Sequence, residues 1–356
     1  MKKLLVTLIS AFSICIIIIC VVIFLYSNGI KAVSKDSSTI EFEVKEGNNF
    51  YNIAEKLKSR DLIKSSFWYR VYIKLNNTPK IKTGTYKLNK NMSVKDIINI
   101  LSDSKKGIDG IRITFKEGYN IYDVIDQIQA NTNNKEEDVI ALLNDPEYID
   151  SLINKYWFIT DEIKNENIYY ALEGYLFPDT YSFKDNVTVK EIFNTMLDEM
   201  DKKLTTHKDA IEQSEYSIHQ LLTLASIVEL EGTTAEDRSM IASVFYNRLK
   251  ANMNLGSDVT TYYGAKVRLS DRDLLASELK EENGYNTRNS SMNGKIPVGP
   301  ISNPSLESIK AVIYPEQSEY YYFVADKNHK TYFTKTLAEH NKKIQELKEA
   351  KLWYEY

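Results

Sequence analysis

The chain has 356 residues, too many for one small domain and enough for two or three units with cores of their own. Its 43% hydrophobic and 26% charged residues are ordinary for a globular protein. The net charge of −4 gives no sign of a general nucleic-acid surface, and no nucleic-acid partner is expected. Tyrosine is unusually common, at 25 residues. A flat apolar ring with a polar tip suits carbohydrate or peptide surfaces, and equally an ordinary core.

Lys2 and Lys3 precede an apolar run from Leu4 to about Tyr26. A run of about 20 apolar residues is long enough to span a bilayer. A cleaved secretory signal would have a shorter apolar region ending in a small-x-small site, and none follows the Ile-rich run. We therefore expect a signal anchor over 1–27, with the paired lysines keeping the N-terminus inside and the rest of the chain outside. Both cysteines, Cys15 and Cys20, lie in this segment, so the exported part has no disulfides, thiol nucleophiles or thiolate metal sites.

Residues 28–38 are polar and read as a tether. An alternating strand with Ile40, Phe42 and Val44 follows, then Lys45-Glu46-Gly47, then a helix with Phe50, Ile53, Ala54 and Leu57 on one face. The segments 41-EFEVKEGNNFYNIAEKL-57 and 112-RITFKEGYNIYDVIDQI-128 match position by position, so a strand–turn–helix unit is repeated. Between the copies, 82-KTGTYKL-88 reads as a strand. Ser93 caps a helix carrying Val94, Ile97, Ile98 and Leu101. The spacing predicts one αβ module over 39–105 and a second αβ repeat with its connector over 106–165. A mainly helical domain with β elements follows over 166–356. The fold class is α+β.

The stretch 221-LLTLASIVELEG-232 carries the chemistry. Leu221, Leu224, Ala225 and Val228 recur with helical spacing, and Leu222, Ile227 and Leu230 fill most other directions. Such a helix is usually buried, yet it ends in Glu229 and Glu231. Gly232 marks the helix end, and Thr234 with Asp237 resembles a capping box for a second helix carrying Ile241, Val244, Phe245 and Leu249. In the last turn, the carbonyl end of the helix dipole and the apolar neighbours both disfavour a carboxylate. A carboxyl held protonated is what a general acid requires. Glu229 and Glu231 lie about 200° apart around the helix, so one can face a cleft while the other meets a basic partner. Periodicity alone does not choose between them. The plainer alternative makes both edge glutamates bonded to Arg238 or Arg248.

Taken together, 225-ASIVELEG-232, 241-IASVFYNRL-249 and 257-SDVTTYYG-264 resemble the MltG (YceG-like) family of endolytic murein transglycosylases. Upstream, 172-LEGYLFPDTYSF-183 is similar to the entry of the family's catalytic domain. Downstream, 285-YNT-287, 296-IPVGPISNP-304 and 321-YYFVADKNHKTYFTKTLAEHN-341 follow its later pattern. The N-terminal part resembles its membrane segment and LysM-like domain. The resemblance implies an anchored lyase of the cytoplasmic membrane, needing no cofactor or metal. It would cut the β-1,4 bond between N-acetylmuramic acid and N-acetylglucosamine in nascent peptidoglycan and leave 1,6-anhydro ends. It implies Glu231 as the catalytic acid and peptidoglycan synthases as partners.

Around Glu231 we expect sugar contacts from Glu229, Asn247, Asp258, Thr260, Tyr263, Tyr285, Asn286 and Thr287. Asp258 could serve as a partner carboxylate, orient the sugar or fix its own loop. Asn247 and Arg248 could instead bond two helices together. Glu173 and Tyr181 could line the cleft or pack the domain. Val259, Arg288, Val298 and Thr331 depart from the family's usual Pro, Tyr, Pro and His. The histidines lack metal-site spacing, and there is no nucleophile elbow or phosphate loop. The competing readings are a non-catalytic peptidoglycan-binding scaffold and a muramidase-type hydrolase.

Overall fold

The computed structural model describes residues 2–45, 47–103, 111–184 and 186–353, with side chains from Phe12 onward in the first helix. Glu46 of the first Lys-Glu-Gly turn, and the expected 105/106 boundary, lie outside the described residues. The architecture mixes helices with small sheets and divides into two compact units, Met1–Ile111 and Arg112–Tyr356.

In the first unit, α1 (Lys2–Gly29) includes the window Phe12–Gly29, whose mean hydropathy of 2.4 makes it long and apolar enough to cross a membrane. Then come β1 (Ile40–Val44), α2 (Ala54–Ser59), α3 (Ser66–Leu75), β2 (Gly84–Leu88) and α4 (Val94–Leu101). β1 and β2 pair antiparallel with Phe42 opposite Tyr86, so the inward residues of each strand meet. They pack with Leu57, Tyr69, Ile97 and Leu101 in one core. Ser93 and Asp96 close a capping box on α4, at the position the sequence indicates. The segment read as a tether is bonded to this module: the Val94 amide donates to the Ile30 carbonyl (3.0 Å), and the Ser34 amide to the Lys90 carbonyl (3.0 Å). Ile30 has apolar surface to bury and packs against the module core.

The repeat is present as equivalent turns with unequal partners. Gly47 and Gly118 hold the same left-handed backbone, at φ +78° and +77°, which explains glycine at both positions. Asn49 and Asn52 exchange side-chain-to-backbone bonds, and the matching pair Asn120 and Asp123 forms a capping box. Only the second pair starts its helix at once, giving α5 (Ile121–Asn131). In the first copy Phe50–Ile53 form turns, and α2 begins four residues later than the apolar spacing suggests. The first copy's strand pairs inside its own module. The second copy's strand, β3 (Ile111–Thr114), pairs with β4 (Thr180–Phe183), beyond the residue-166 boundary expected from the sequence.

The second unit continues through α6 (Glu136–Leu143), α7 (Pro146–Lys155), α8 (Val189–Thr205) and α9 (Lys208–Glu212). Its centre is α10 (Ile218–Glu231), packed on α11 (Ala235–Lys250) and, after α12 (Asp258–Gly264), on α13 (Leu306–Ile313). An antiparallel hairpin of β5 (Tyr322–Ala325) and β6 (Thr331–Thr334) precedes α14 (Leu337–Glu349). α10 is buried along nearly all its length, as its all-round apolar sequence requires. Its buried hydroxyls are satisfied locally: Thr223 donates to the His219 carbonyl, and Ser226 to the Thr223 carbonyl.

Candidate active site

Ser217 and Gln220 close a capping box that starts α10, so the helix register and its final residue are fixed from its N-terminus. Gly232 ends the helix in an extended conformation, φ −99° and ψ 133°, not in the left-handed cap that a terminal glycine usually signals. Glycine is required here for space. A Cβ would lie 2.6 Å from Arg238 Cγ and 3.2 Å from that residue's backbone. α11 can therefore start hard against the end of α10, with Thr234 accepting the Asp237 amide as its cap.

The two glutamates diverge from this end. Glu229 is buried, and both carboxylate oxygens are occupied. Arg238 Nη2 donates to Oε1 at 3.0 Å. Oε2 accepts from the Ser305 amide (2.9 Å), Ser305 Oγ (2.5 Å) and Ser308 Oγ (2.6 Å). Ser305 is also the N-cap of α13, so Glu229 ties the ends of three helices together. On the neighbouring surface, Gly118 of the second repeat lies against Leu230 and Glu229. The desolvated Glu117 carboxyl, repelled also by Glu229, is pushed above its ordinary range.

Glu231 has a sparser environment. Ser257 Oγ donates to Oε1 at 2.6 Å, and among the described residues no ion pair within 4 Å reaches it. Burial pushes its carboxyl above the ordinary range, Ser257 opposes that shift, and Asp258 adds to it. The cations Arg288 and Arg248 pull it back down more weakly. The result is a carboxyl biased toward the protonated form that keeps some access to solvent.

Ser257 is held from beneath. Its amide donates to Thr287 Oγ1 (3.0 Å), and its carbonyl accepts from Thr260 Oγ1 (2.7 Å). Thr260 and Thr287 share a hydroxyl contact of 2.7 Å. Thr261 donates to Asn286 Oδ1, and Asn286 Nδ2 donates to the Glu281 carbonyl. Arg248 clamps the approach: Nη1 donates to the Leu255 carbonyl and Nε to the Tyr321 carbonyl, both at 2.6 Å. Its guanidinium lies over the Tyr322 ring.

The expected sugar-contact residues therefore separate. Thr260, Asn286 and Thr287 are fully buried and brace the Ser257 loop. Tyr263 and Tyr285 are buried in a ring cluster with Tyr169. Tyr263 donates to Glu173 Oε2, which also accepts the Ile121 amide. Glu173, almost fully buried, is pushed up to about 8 by desolvation, and both it and Tyr181 pack the domain. Asn247 donates to the carbonyls of Ser318 and Tyr320. Glu229 sits in its ion pair. Of the eight, Asp258 is the exposed one beside Glu231, and it pairs with Arg288.

Ser257 and Arg288 were not among the expected contacts. The first stands one residue before the Asp258 motif position, and the second was legible only as a departure from the family pattern. A cavity of about 910 Å³ lies elsewhere in this unit, lined by Tyr216, His219, Tyr246, Asn247 and Pro297 among others, and Glu231 is not part of its wall.

A single desolvated carboxyl at the end of a buried helix, braced by one hydroxyl, has the surroundings that a general acid requires. The chain belongs to the YceG-like family, whose model matches residues 42–346. It is 36% identical over 323 residues to a Bacillus subtilis protein named endolytic murein transglycosylase, covering 90% of this chain and 88% of that one. A Streptococcus pneumoniae protein of the same name is 32% identical over 324 residues, covering 87% of this chain and 58% of its own. The crystal structure of a YceG-like protein from Listeria monocytogenes superposes with a TM-score of 0.61 at 35% identity. It covers 86% of this chain and 99% of the other.

Proposed function

We propose that this chain is an endolytic murein transglycosylase, anchored in the cytoplasmic membrane by α1 with its second unit outside, and that Glu231 is its general acid and then its general base. The observation that carries the reading is the environment of Glu231: desolvated, without an ion pair among the described residues, and hydrogen-bonded by a neutral hydroxyl. The names of the relatives supply the substrate class, peptidoglycan strands.

Protonated Glu231 gives its proton to the glycosidic oxygen between N-acetylmuramic acid and N-acetylglucosamine as an oxocarbenium-like centre develops. The C–O bond breaks and the N-acetylglucosamine hydroxyl leaves. Glu231, now a carboxylate, is stabilised by the Ser257 hydroxyl and by the nearby Arg248 and Arg288 charges. It then takes the proton of the muramic acid C6 hydroxyl, whose oxygen closes on C1. The product is a 1,6-anhydro end, no water is consumed, and Glu231 is again protonated. A second carboxylate of the kind most glycosidases use is not required. Burial raises the Glu231 carboxyl, Asp258 adds a smaller push in the same direction, and Asp258 holds Arg288 beside it.

The β1–α2–α3–β2 order of the first unit supports reading it as a β-α-α-β, LysM-like module, and we assign it a glycan-binding or spacing role. Peptidoglycan synthases are the partners the family implies.

Uncrosslinked glycan strands incubated with the full chain, and with Glu231→Gln and Glu229→Gln, test the reading by mass spectrometry of the new ends. Anhydro ends that vanish with Glu231→Gln while Glu229→Gln still produces them are the expected result. Reducing ends would identify a hydrolase. Binding without cleavage in all three proteins would leave a scaffold.

A further inference from the structure

α3 carries apolar side chains on two sides. Tyr69 and Ile73 are buried in the module core, as one face of an amphipathic helix should be. On the other side, Phe67, Val71 and Leu75 follow one another at four-residue spacing, and Phe67 and Leu75 are 62% and 70% exposed. Trp68 and Tyr72, partly buried, adjoin this row. Exposed Lys74 and half-buried Arg70 flank it. Large apolar residues in a row on one surface mark an interaction site, whereas scattered ones are normal.

The position of this row indicates what covers it. The N-terminal end of α3 is seated on the end of α1. The Trp68 and Tyr26 rings meet edge to face at 5.9 Å. A Cβ on Gly29 would lie 2.4 Å from Trp68 Cδ1, so the glycine lets the indole press against the helix backbone. Lys64 Nζ donates to Asn28 Oδ1 at 3.3 Å. The Ile30 and Ser34 bonds to α4 and its preceding turn then hold the module to α1 without slack. The 18-residue window Phe12–Gly29 rises about 27 Å at 1.5 Å per residue, close to the thickness of a bilayer's hydrocarbon core. With α1 spanning, Tyr26 and the Trp68 ring beside it fall at the headgroup level, where Trp and Tyr concentrate.

We infer that the row Phe67–Val71–Leu75 of α3, exposed at its two ends, lies with Trp68 in the interfacial layer of the bilayer as a second membrane contact. This inference rests on the reading of α1 as a membrane span. The apolar row enters the boundary between headgroups and acyl chains and exposed Lys74 reaches toward lipid phosphates, while Arg70 is held by its ion pair with Glu55 (3.0 Å). The first unit is then seated on the membrane surface, and its height above the bilayer is set by packing and not by a flexible linker.

The test uses the full chain with Cys15 and Cys20 replaced by serine, reconstituted in phosphatidylglycerol–phosphatidylcholine vesicles. Single cysteines for a nitroxide label are introduced as Phe67→Cys, Leu75→Cys, Ile18→Cys and, in α14 of the second unit, Lys342→Cys. Collisions with oxygen, which partitions into lipid, are compared with those of a water-soluble nickel chelate. Labels at 67 and 75 should favour oxygen, between the deep reading at 18 and the aqueous reading at 342. A deep reading at 18 with aqueous readings at both 67 and 75 would overturn the inference and leave the anchor standing. An aqueous reading at 18 would remove both. Phe67 and Leu75 are exposed, so the substitutions leave the core intact.

Discussion

On the two sides of the last turn of α10, the same functional group meets opposite surroundings. Toward α13, Glu229 is matched bond for bond by an arginine, two serine hydroxyls and a helix-capping amide. Toward α12, Glu231 receives one hydroxyl and feels its nearest charged neighbours only at longer range. A buried carboxyl whose two oxygens are matched by a full set of donors is fixed in place, which suits it to fastening helices together. A desolvated carboxyl with a single neutral donor keeps a proton it can release and recover, which suits it to catalysis. The difference arises from what the rest of the chain brings to each side: Arg238 and Ser305 on one, Ser257 on the other.

The largest expected effect comes from Glu231→Gln. Removing the transferable proton should lower strand cleavage by about 10²–10⁴-fold, the usual worth of general acid–base catalysis. The thermal midpoint should stay near that of the parent, because only one bond to Ser257 is altered. Glu229→Gln should show the reverse pattern. Breaking one side of a buried ion pair typically costs about 3–5 kcal/mol. That loss would appear in chemical unfolding, while turnover per folded molecule falls far less than in Glu231→Gln. Equal loss of turnover in both, with no loss of stability in Glu229→Gln, would break the comparison.

A third carboxyl sharpens it. Glu173 lies under α12, with Tyr263 and the Ile121 amide on one oxygen and Asp123, Tyr170 and Tyr285 nearby. Burial holds its pKa near 8 against an ordinary 4.5. The folded state therefore retains a proton that the unfolded chain releases at lower pH. Its stabilising contribution is full below about 4.5 and is lost as pH rises through about 8. Glu173→Gln has no such proton, so its stability relative to the parent should rise across that window, by up to about 5 kcal/mol at 1.36 kcal/mol per unit. Unfolding midpoints taken at intervals across the window check this. Parallel curves would mean that Glu173 is ionised in both states.

How much of this was legible in the sequence follows from the range of each contact. The buried α10, its carboxylates, the cap at Thr234 and the repeat of strand, turn and helix are local patterns. Apolar spacing and a few turn residues reveal them. The choice between Glu229 and Glu231 was not legible from periodicity, because it depends on Ser305 and Ser257, 76 and 26 residues away. Thr260, Asn286 and Thr287 read as sugar contacts because hydroxyls and amides suit a glycan, but the same groups suit a buried polar network. They form that network here, since the loop carrying Ser257 has backbone groups that must be satisfied inside the protein. Tyr263 and Tyr285 are ambiguous for a related reason: a ring large enough to stack on a sugar also fills a core. Gly232 was legible as a helix end, although its cause is the close approach of Arg238 and not a left-handed cap.

The smallest effects carry the sharpest test, because they differ in sign. If Glu231 is the group whose deprotonation ends activity, cleavage should fall as pH rises through its pKa, and kcat/KM should show this for the free enzyme. Ser257→Ala removes the hydrogen bond that favours the carboxylate, so the alkaline limb should move to higher pH while the plateau rate falls. Asp258→Asn removes the negative charge that favours the protonated form and releases Arg288, whose charge favours the carboxylate. Both changes act in the same direction, so its limb should move to lower pH. Buffered pH profiles of the two variants beside the parent would read the displacements directly. A common direction, or no movement in either, would mean that the titrating group lies elsewhere and that the Ser257 side of α10 is not where the proton is exchanged.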